Sequence, residues 1–192
     1  MEGEFNGKMI IFSGPSGSGK STIASHFLEK YDGFSFSVSA CTREQRKGEI
    51  DGAHYYFLNV PEFKERIKNK EFVEYEEVYP GKYYGTMRSE VERIWKNQKH
   101  ILFDIDVYGA MSIKRKFPVQ SLSILVAPPS MAVLRERLVK RSTESEETLL
   151  TRLAKAEKEL AFKEKFDYLL LNDDLNRAID QAEKKIKEFI LS

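Results

Sequence analysis

One cysteine, Cys41, stands among the 192 residues of this chain, so an internal disulfide is excluded, as is a cysteine-rich metal centre. A lone thiol suits a nucleophile or, as is commoner, a small core residue. Histidine is nearly as scarce. His26, His54 and His100 are scattered, without the close pair of a hydrolytic metal site. There is no excess of one charge: 31 Lys and Arg oppose 30 Asp and Glu, a formal net charge of +1. That balance argues against a dedicated nucleic-acid binder, while permitting a local positive cleft. No apolar run approaches the ~20 residues of a membrane span, and the opening MEGEFNGK is not a secretion signal. A soluble, cytoplasmic protein with neither nucleic acid nor membrane as partner is expected. Repeats and low-complexity linkers are missing too. What is present, 41 % hydrophobic and 32 % charged residues, suits one domain with a sizeable core, or one core with small appendages.

The apolar pattern opens with a buried strand over 8–13, a glycine-rich stretch over 14–19 and a helix over 20–30 with Ile23, Phe27 and Leu28 on its apolar side. A second strand covers 34–39. Residues 40–97 then change character and read as a small mixed insertion. It holds an aromatic strand at 55–58, a helix opening at Pro61, a strand over 72–78 turned by Pro80-Gly81, and a helix over 89–96. Residues 101–106 and 122–126 return to the unbroken apolar pattern of strands covered on two faces, with a helix over 110–116 between them. Ser130 caps a helix to about residue 140, and Thr143 with Glu146 forms a capping-box pair before the next. A strand over 168–171 and a helix over 175–191 close the chain. Five core strands mostly separated by helices predict an α/β fold, a parallel sheet covered on both faces. The pattern does not order the strands.

Gly14-Pro15-Ser16-Gly17-Ser18-Gly19-Lys20-Ser21 matches G-x-x-x-x-G-K-[ST], the phosphate loop of P-loop NTPases. Its glycines let backbone amides turn inward around phosphate oxygens, and the following helix adds free N–H groups at its positive end. Lys20 suits the β and γ phosphates, and Ser21 the Mg²⁺ that bridges them. A glycine-rich turn that binds nothing is the alternative; the strand before and the helix after argue against it. The motif alone leaves kinase, hydrolase and switch open. Asp104 and Asp106, two apart at a strand end, would share a face at the carboxyl edge of the sheet, where parallel sheets take ligands. They are expected to serve the same site, on Mg²⁺ directly or through water, unless they are ordinary strand-end carboxylates. The spacing does not say which of the two serves the metal.

Two polar clusters remain. The insertion gathers Ser39, Arg43, Arg46, Glu49, Tyr55, Glu74, Tyr84 and Thr86. Two arginines can fork onto a phosphate, and Glu74 can accept from the ring N–H and amine of guanine, a pairing adenine does not offer. A solvated surface with structural tyrosines explains the same residues. Downstream, Arg137 and Arg141 lie i, i+4 on one helix face and Arg152 on the next helix. Such arginines would stabilise charge on transferring phosphates beneath a closing segment, or they face solvent.

Together these motifs resemble guanylate kinase of the bacterial type from about Lys8 to the final helix. The resemblance rests on GPSGSGKST at 14–22, SVSACTR at 37–43, GEIDGAHYYF at 48–57, YYGT at 83–86, ILFDIDVYG at 101–109, RLVKRSTESEETLLTRL at 137–153 and FDYLLLND at 166–173. It implies transfer of phosphate from ATP to GMP, and to dGMP, with Mg²⁺. It also implies a core of residues 1–39, 98–136 and 158–192, a GMP-binding insertion at 40–97 and a helical lid at 137–157. The implied donor residues are 14–22, with Lys20, Ser21 and Thr22, then Arg137, Arg141 and Asn172, the last bordering the adenine. The implied acceptor residues are Ser39, Arg43, Arg46, Glu49, Tyr55, Glu74, Tyr84, Thr86, Asp106 and Arg152. Arg43, Arg46 and Tyr84, assisted by Tyr55, would hold the GMP phosphate; Glu74 and Thr86 would read guanine. Ser21 and Asp104 would hold Mg²⁺, the latter through water, and Lys20, Arg43, Arg137, Arg141 and Arg152 would be catalytic. The oligomeric state is left open, a homodimer included. Departures from the family pattern are Cys41 for Thr, Gln45 for Pro, Glu76 for Ala, Tyr108 for Gln and Ser142 for Gly. None removes a charge that the mechanism needs. An AMP-specific kinase, a slow regulatory NTPase and a non-catalytic phosphopeptide-binding module are the rivals. They are disfavoured respectively by Glu74 with Thr86, by the lack of a switch motif, and by the complete phosphate loop.

Overall fold

The computed structural model describes residues 7–141 and 146–192, Arg141 by its backbone alone. Thr143, half of the expected capping box, and Ser142 lie outside the described residues. In chain order the elements are β1 (Met9–Ser13), α1 (Lys20–Lys30), β2 (Phe34–Phe36), β3 (Ala40–Cys41), β4 (Tyr56–Phe57), α2 (Val60–Lys68), β5 (Phe72–Tyr79), β6 (Lys82–Met87) and α3 (Arg88–Lys96). They continue with β7 (His100–Asp104), α4 (Val107–Lys116), β8 (Ser121–Ala127), α5 (Met131–Arg141), α6 (Glu146–Leu160), a 3-10 turn (Lys163–Lys165), β9 (Tyr168–Leu171) and α7 (Leu175–Leu191).

The larger sheet has the order β2-β7-β1-β8-β9. β1 and β8 pair in parallel, Ile11 opposite Ser123, and β8 pairs in parallel with β9, Val126 opposite Leu170. Every residue of β1 and β8 is buried, because helices cover both faces of the sheet. The covering helices turn small or branched side chains inward: Ile23, Ala24 and Phe27 on α1, Ala110 and Ile113 on α4, Ala178, Ala182 and Ile186 on α7. This is the α/β architecture the strand pattern predicts. Its parallel order brings the carboxyl ends of β1, β7, β8 and β9 to one edge, so the segments that follow them share that edge.

The chain divides into two compact units, Lys8–Asp32 with Leu102–Ser192, and Gly33–Ile101 with the start of the chain. The second holds a four-stranded sheet ordered β4-β3-β6-β5, in which β5 and β6 form an antiparallel hairpin. The Gly81 N–H donates to Glu77 Oε1 at 2.7 Å across the hairpin turn. Asn59 and Glu62 make a reciprocal capping box at the start of α2. Helix α2 drives Phe63 into a core with Ala40, Phe72 and Met87, and Phe63 stacks on Phe72 with ring centroids 4.4 Å apart. Phe63 is fully buried. Phe63→Ala is expected to destabilise the protein by about 3–5 kcal/mol, the usual cost of deleting a core aromatic, read as a shift of the urea unfolding midpoint.

Two expectations are corrected. The strand over 101–106 ends at Asp104, because Asp106 instead caps α4, accepting from the N–H groups of Tyr108 and Gly109 at 2.9 Å each. Asp104 and Asp106 therefore do not share a strand face. The strand over 34–39 stops at Phe36, and β3 resumes at Ala40 in the other sheet. Residues 82–87, for which the sequence offers only the YYGT motif, form strand β6, whose buried residues Gly85, Thr86 and Met87 run consecutively rather than alternating.

Candidate active site

The phosphate loop follows β1 directly. Gly14 has φ +130°, and a Cβ there would lie 2.4 Å from the Val126 carbonyl oxygen, so any other residue would force β1 and β8 apart. Lys20 folds back over the loop, its ammonium donating to the carbonyls of Gly14 at 2.8 Å and Pro15 at 3.2 Å. The same nitrogen is 3.9 Å from Asp104 Oδ1, and Ser21 Oγ donates to Asp104 Oδ2 at 2.5 Å. A lysine, a hydroxyl and a carboxylate thus converge at the start of α1, where the helix dipole is positive. Hydroxyl and carboxylate are hard oxygen donors, the chemistry that Mg²⁺ selects. Among the described residues no group of three or more His, Cys, Asp or Glu is arranged to hold a metal by itself.

The other residues expected around the donor belong to the same compact unit. Asn172, next after β9, donates from Nδ2 to the Ser18 carbonyl at 2.7 Å, and its own carbonyl accepts from Arg137 Nη2 at 2.9 Å. Arg152 sits half-buried on α6, and the side chain of Arg141 lies outside the described residues. Glu159, also on α6, was not singled out by sequence. It is 6 % exposed; burial pushes its carboxyl up, Lys155 and Lys20 oppose that, and Asp106 reinforces it. Its signal was its place three residues after Ala156, on the buried face of the helix.

The residues expected on the acceptor side, apart from Asp106 and Arg152, belong to the other unit. Arg43 donates from Nη1 and Nη2 to the two carboxylate oxygens of Glu49 at 2.6 and 2.5 Å. Its guanidinium lies 4.7 Å from the Tyr55 ring centroid and 5.5 Å from that of Phe57. The Arg46 N–H also donates to Glu49, at 2.8 Å. Glu49 therefore fixes both arginine positions. The Arg43 fork and then the Arg46 N–H hold its carboxyl at about 2. Since this value lies below the ordinary 4.5, the pair contributes stability that is complete above pH about 4.5 and is lost as pH falls through about 2. The carboxyl carbon of Glu49 should titrate near 2 by NMR and return towards 4.5 in Arg43→Met.

Tyr84 stands across β3 from this pair, opposite Cys41, with its ring edge-on to Tyr55 at 6.1 Å. Burial pushes the Tyr84 hydroxyl up, so it remains a protonated donor. Cys41 is fully buried and its thiol is likewise pushed up by burial, which makes it a core residue rather than a nucleophile. Glu74 and Thr86 face each other across the hairpin, buried to 5 % and 0 % exposure, and Thr86 Oγ1 donates to Glu74 Oε1 at 2.7 Å. Ser39 is half-buried in the segment before β3, its carbonyl accepting from the Tyr56 N–H. That segment is anchored by Glu90, which sequence reasoning missed. Burial opposes the charge of Glu90, and donors from Arg93, the Val38 N–H and the Tyr56 hydroxyl overcome it and hold its carboxyl low. Of the departures, Gln45 donates to the Glu49 carbonyl, and Tyr108 packs edge-on to Phe162 at 5.2 Å.

Residues 6–190 match the family model described as guanylate kinase. The chain is 50 % identical over 184 residues to the guanylate kinase of Porphyromonas gingivalis, covering 95 % of this chain and 98 % of that protein. It is 46 % identical over 183 residues to that of Bacteroides fragilis, covering 95 % and 90 %. The crystal structure of guanylate kinase from Anaplasma phagocytophilum is similar with a TM-score of 0.77 at 31 % identity, over 95 % of this chain and 85 % of that one.

Proposed function

This chain belongs to the guanylate kinase family and transfers a phosphoryl group from ATP to GMP, and on that premise we propose how its residues divide the work. Backbone N–H groups of residues 14 and 16–19, with Thr22 at the helix start, hold the donor phosphates. Lys20 neutralises the β and γ oxygens. Mg²⁺ would be held by Ser21 and, through water, by Asp104; when bound it supplies the positive charge that offsets the donor phosphates. Arg43, Arg46 and Tyr84, with Tyr55, take the acceptor phosphate, and Glu49 pre-sets the Arg43 fork. Glu74 and Thr86 read the base, and Ser39 and Asp106 are assigned to the same nucleotide. Arg137, Arg141 and Arg152, on a lid over 137–157, add charge where the phosphoryl group passes.

The transfer is a direct in-line displacement. An acceptor phosphate oxygen is already ionised, so no strong general base is demanded and no covalent protein intermediate forms. The reading extends to dGMP, which offers the same base and phosphate to these residues. The observation that carries the acceptor assignment is the buried Glu74–Thr86 pair. A carboxylate oriented by a hydroxyl accepts from guanine and repels the ring acceptor of adenine. A coupled assay of ADP formation with ATP and each of GMP, AMP, CMP and UMP tests the reading. GMP should be the preferred acceptor by a wide margin; equal turnover of AMP, or ATP hydrolysis indifferent to acceptor, would overturn it.

A further inference from the structure

The side-chain nitrogen of Asn172 is held by the phosphate loop. Asn172 is 5 % exposed. Its N–H donates to the Ala127 carbonyl at 2.8 Å, which pins the residue between the ends of β8 and β9. Its Nδ2 donates to the Ser18 carbonyl at 2.7 Å. The carbonyl and N–H of one trans peptide point in opposite directions. Holding the Ser18 oxygen therefore aims the Gly19 N–H away from Asn172, to the opposite side of the loop. Gly19 has φ +101°, and a Cβ there would lie 2.1 Å from Asn172 Nδ2, so the close approach of amide and loop is built into the sequence at both positions. The Asn172 carbonyl accepts from Arg137 on α5, which joins the loop, the end of β9 and α5 in one bonded chain.

We propose that Asn172 is a positioning residue of the phosphate loop: it sets the Ser18–Gly19 peptide so that the Gly19 N–H faces the donor phosphates, and it does not read the donor base. This rests on the donor-site assignment above and deepens it. The bond is to backbone and is made without reference to any base. Its loss weakens a bare polyphosphate as much as a nucleotide.

The experiment compares Asn172→Asp, which sets an acceptor against the Ser18 carbonyl in nearly the same volume, with Asn172→Ala. Binding of ADP and of inorganic tripolyphosphate is measured by calorimetry, with steady-state kinetics for ATP and GTP as donors. Both variants should weaken ADP and tripolyphosphate by a common factor of tenfold or more, raise KM for both donors, and leave the ATP-to-GTP preference unchanged. Tripolyphosphate bound as in the wild type while ADP is weakened would overturn the proposal and return Asn172 to the adenine. Should both variants fail to fold by circular dichroism, the wild type decides. The side-chain ¹⁵NH₂ resonance of Asn172 should shift on adding tripolyphosphate and stay put on adding adenosine; the reverse, or no shift with tripolyphosphate, overturns it. Failure of the ATP-to-GMP assay alongside intact tripolyphosphate binding would strike the functional reading and leave this one standing.

Discussion

Lys20→Ala should lower kcat about 10³-fold, a loss of about 4 kcal/mol of transition-state stabilisation. The ammonium lies 3.9 Å from Asp104, the carboxylate proposed to serve the metal, and its side chain is largely buried against the loop it bonds. Negative charge develops on oxygens that bridge donor and transferring phosphate, and a fixed cation in a partly dehydrated site stabilises it far more than one in water. Both the charge and the two hydrogen bonds to Gly14 and Pro15 belong to the ammonium, so Lys20→Met, which keeps only the stem, is measured beside it. A similar loss in both variants assigns the effect to the ammonium. Methionine near wild-type activity would show that the packed stem, and not the ammonium, carries the effect. GMP affinity should stay within about twofold, because the proposed acceptor contacts involve other residues.

Glu74→Gln should lower kcat/KM for GMP by about 10- to 100-fold, from the loss of one of two buried hydrogen bonds and the pairing of an amine with an amide donor, each on the order of 1–3 kcal/mol. The amide offers one acceptor where the carboxylate offers two, and Thr86 already donates to the same group. The preference for GMP over AMP should narrow, since the carboxylate that repels the adenine ring nitrogen is gone. Arg43→Ala should weaken GMP and AMP alike, because the fork that Glu49 holds is assigned to phosphate only. The comparison is kcat/KM for both acceptors in wild type and each variant. An unchanged GMP value and preference in Glu74→Gln would remove the base-reading role.

The parts of the fold that were legible in sequence are those fixed by short-range chemistry. Strand β1, the glycine loop and α1 are written in consecutive residues, and α1 spans the residues expected of it, Lys20–Lys30. β9 and α7 were legible for the same reason, one a short apolar run and the other a long amphipathic stripe. Asp106 was misplaced because a side-chain cap looks, in sequence, like one more polar residue at a strand end; only the N–H groups of Tyr108 and Gly109 distinguish the two. Strand β3, two residues long, is too short to show a period and is held between β4 and β6, whereas β4 falls inside the aromatic stretch 55–58 that reads as a strand. In the candidate site, residue types such as Lys20, Ser21 and Asp104 were legible, and their partners were less so. That Glu49 grips Arg43 fits a charge pairing six residues apart, but the burial of Glu90 and Glu159 depends on packing between elements distant in sequence.

Cys41 has a practical consequence. It is the one thiol in the chain, it has no exposed surface, and burial keeps it protonated, so the outside of the protein is silent to maleimides and methanethiosulfonates. A cysteine introduced at exposed Tyr79 in one compact unit and another at exposed Val119 in the other would be the only positions to take a spin label or fluorophore. The separation of the two units, and its response to ATP and GMP, can then be followed by distance spectroscopy without first engineering away a native residue that packs against Tyr84.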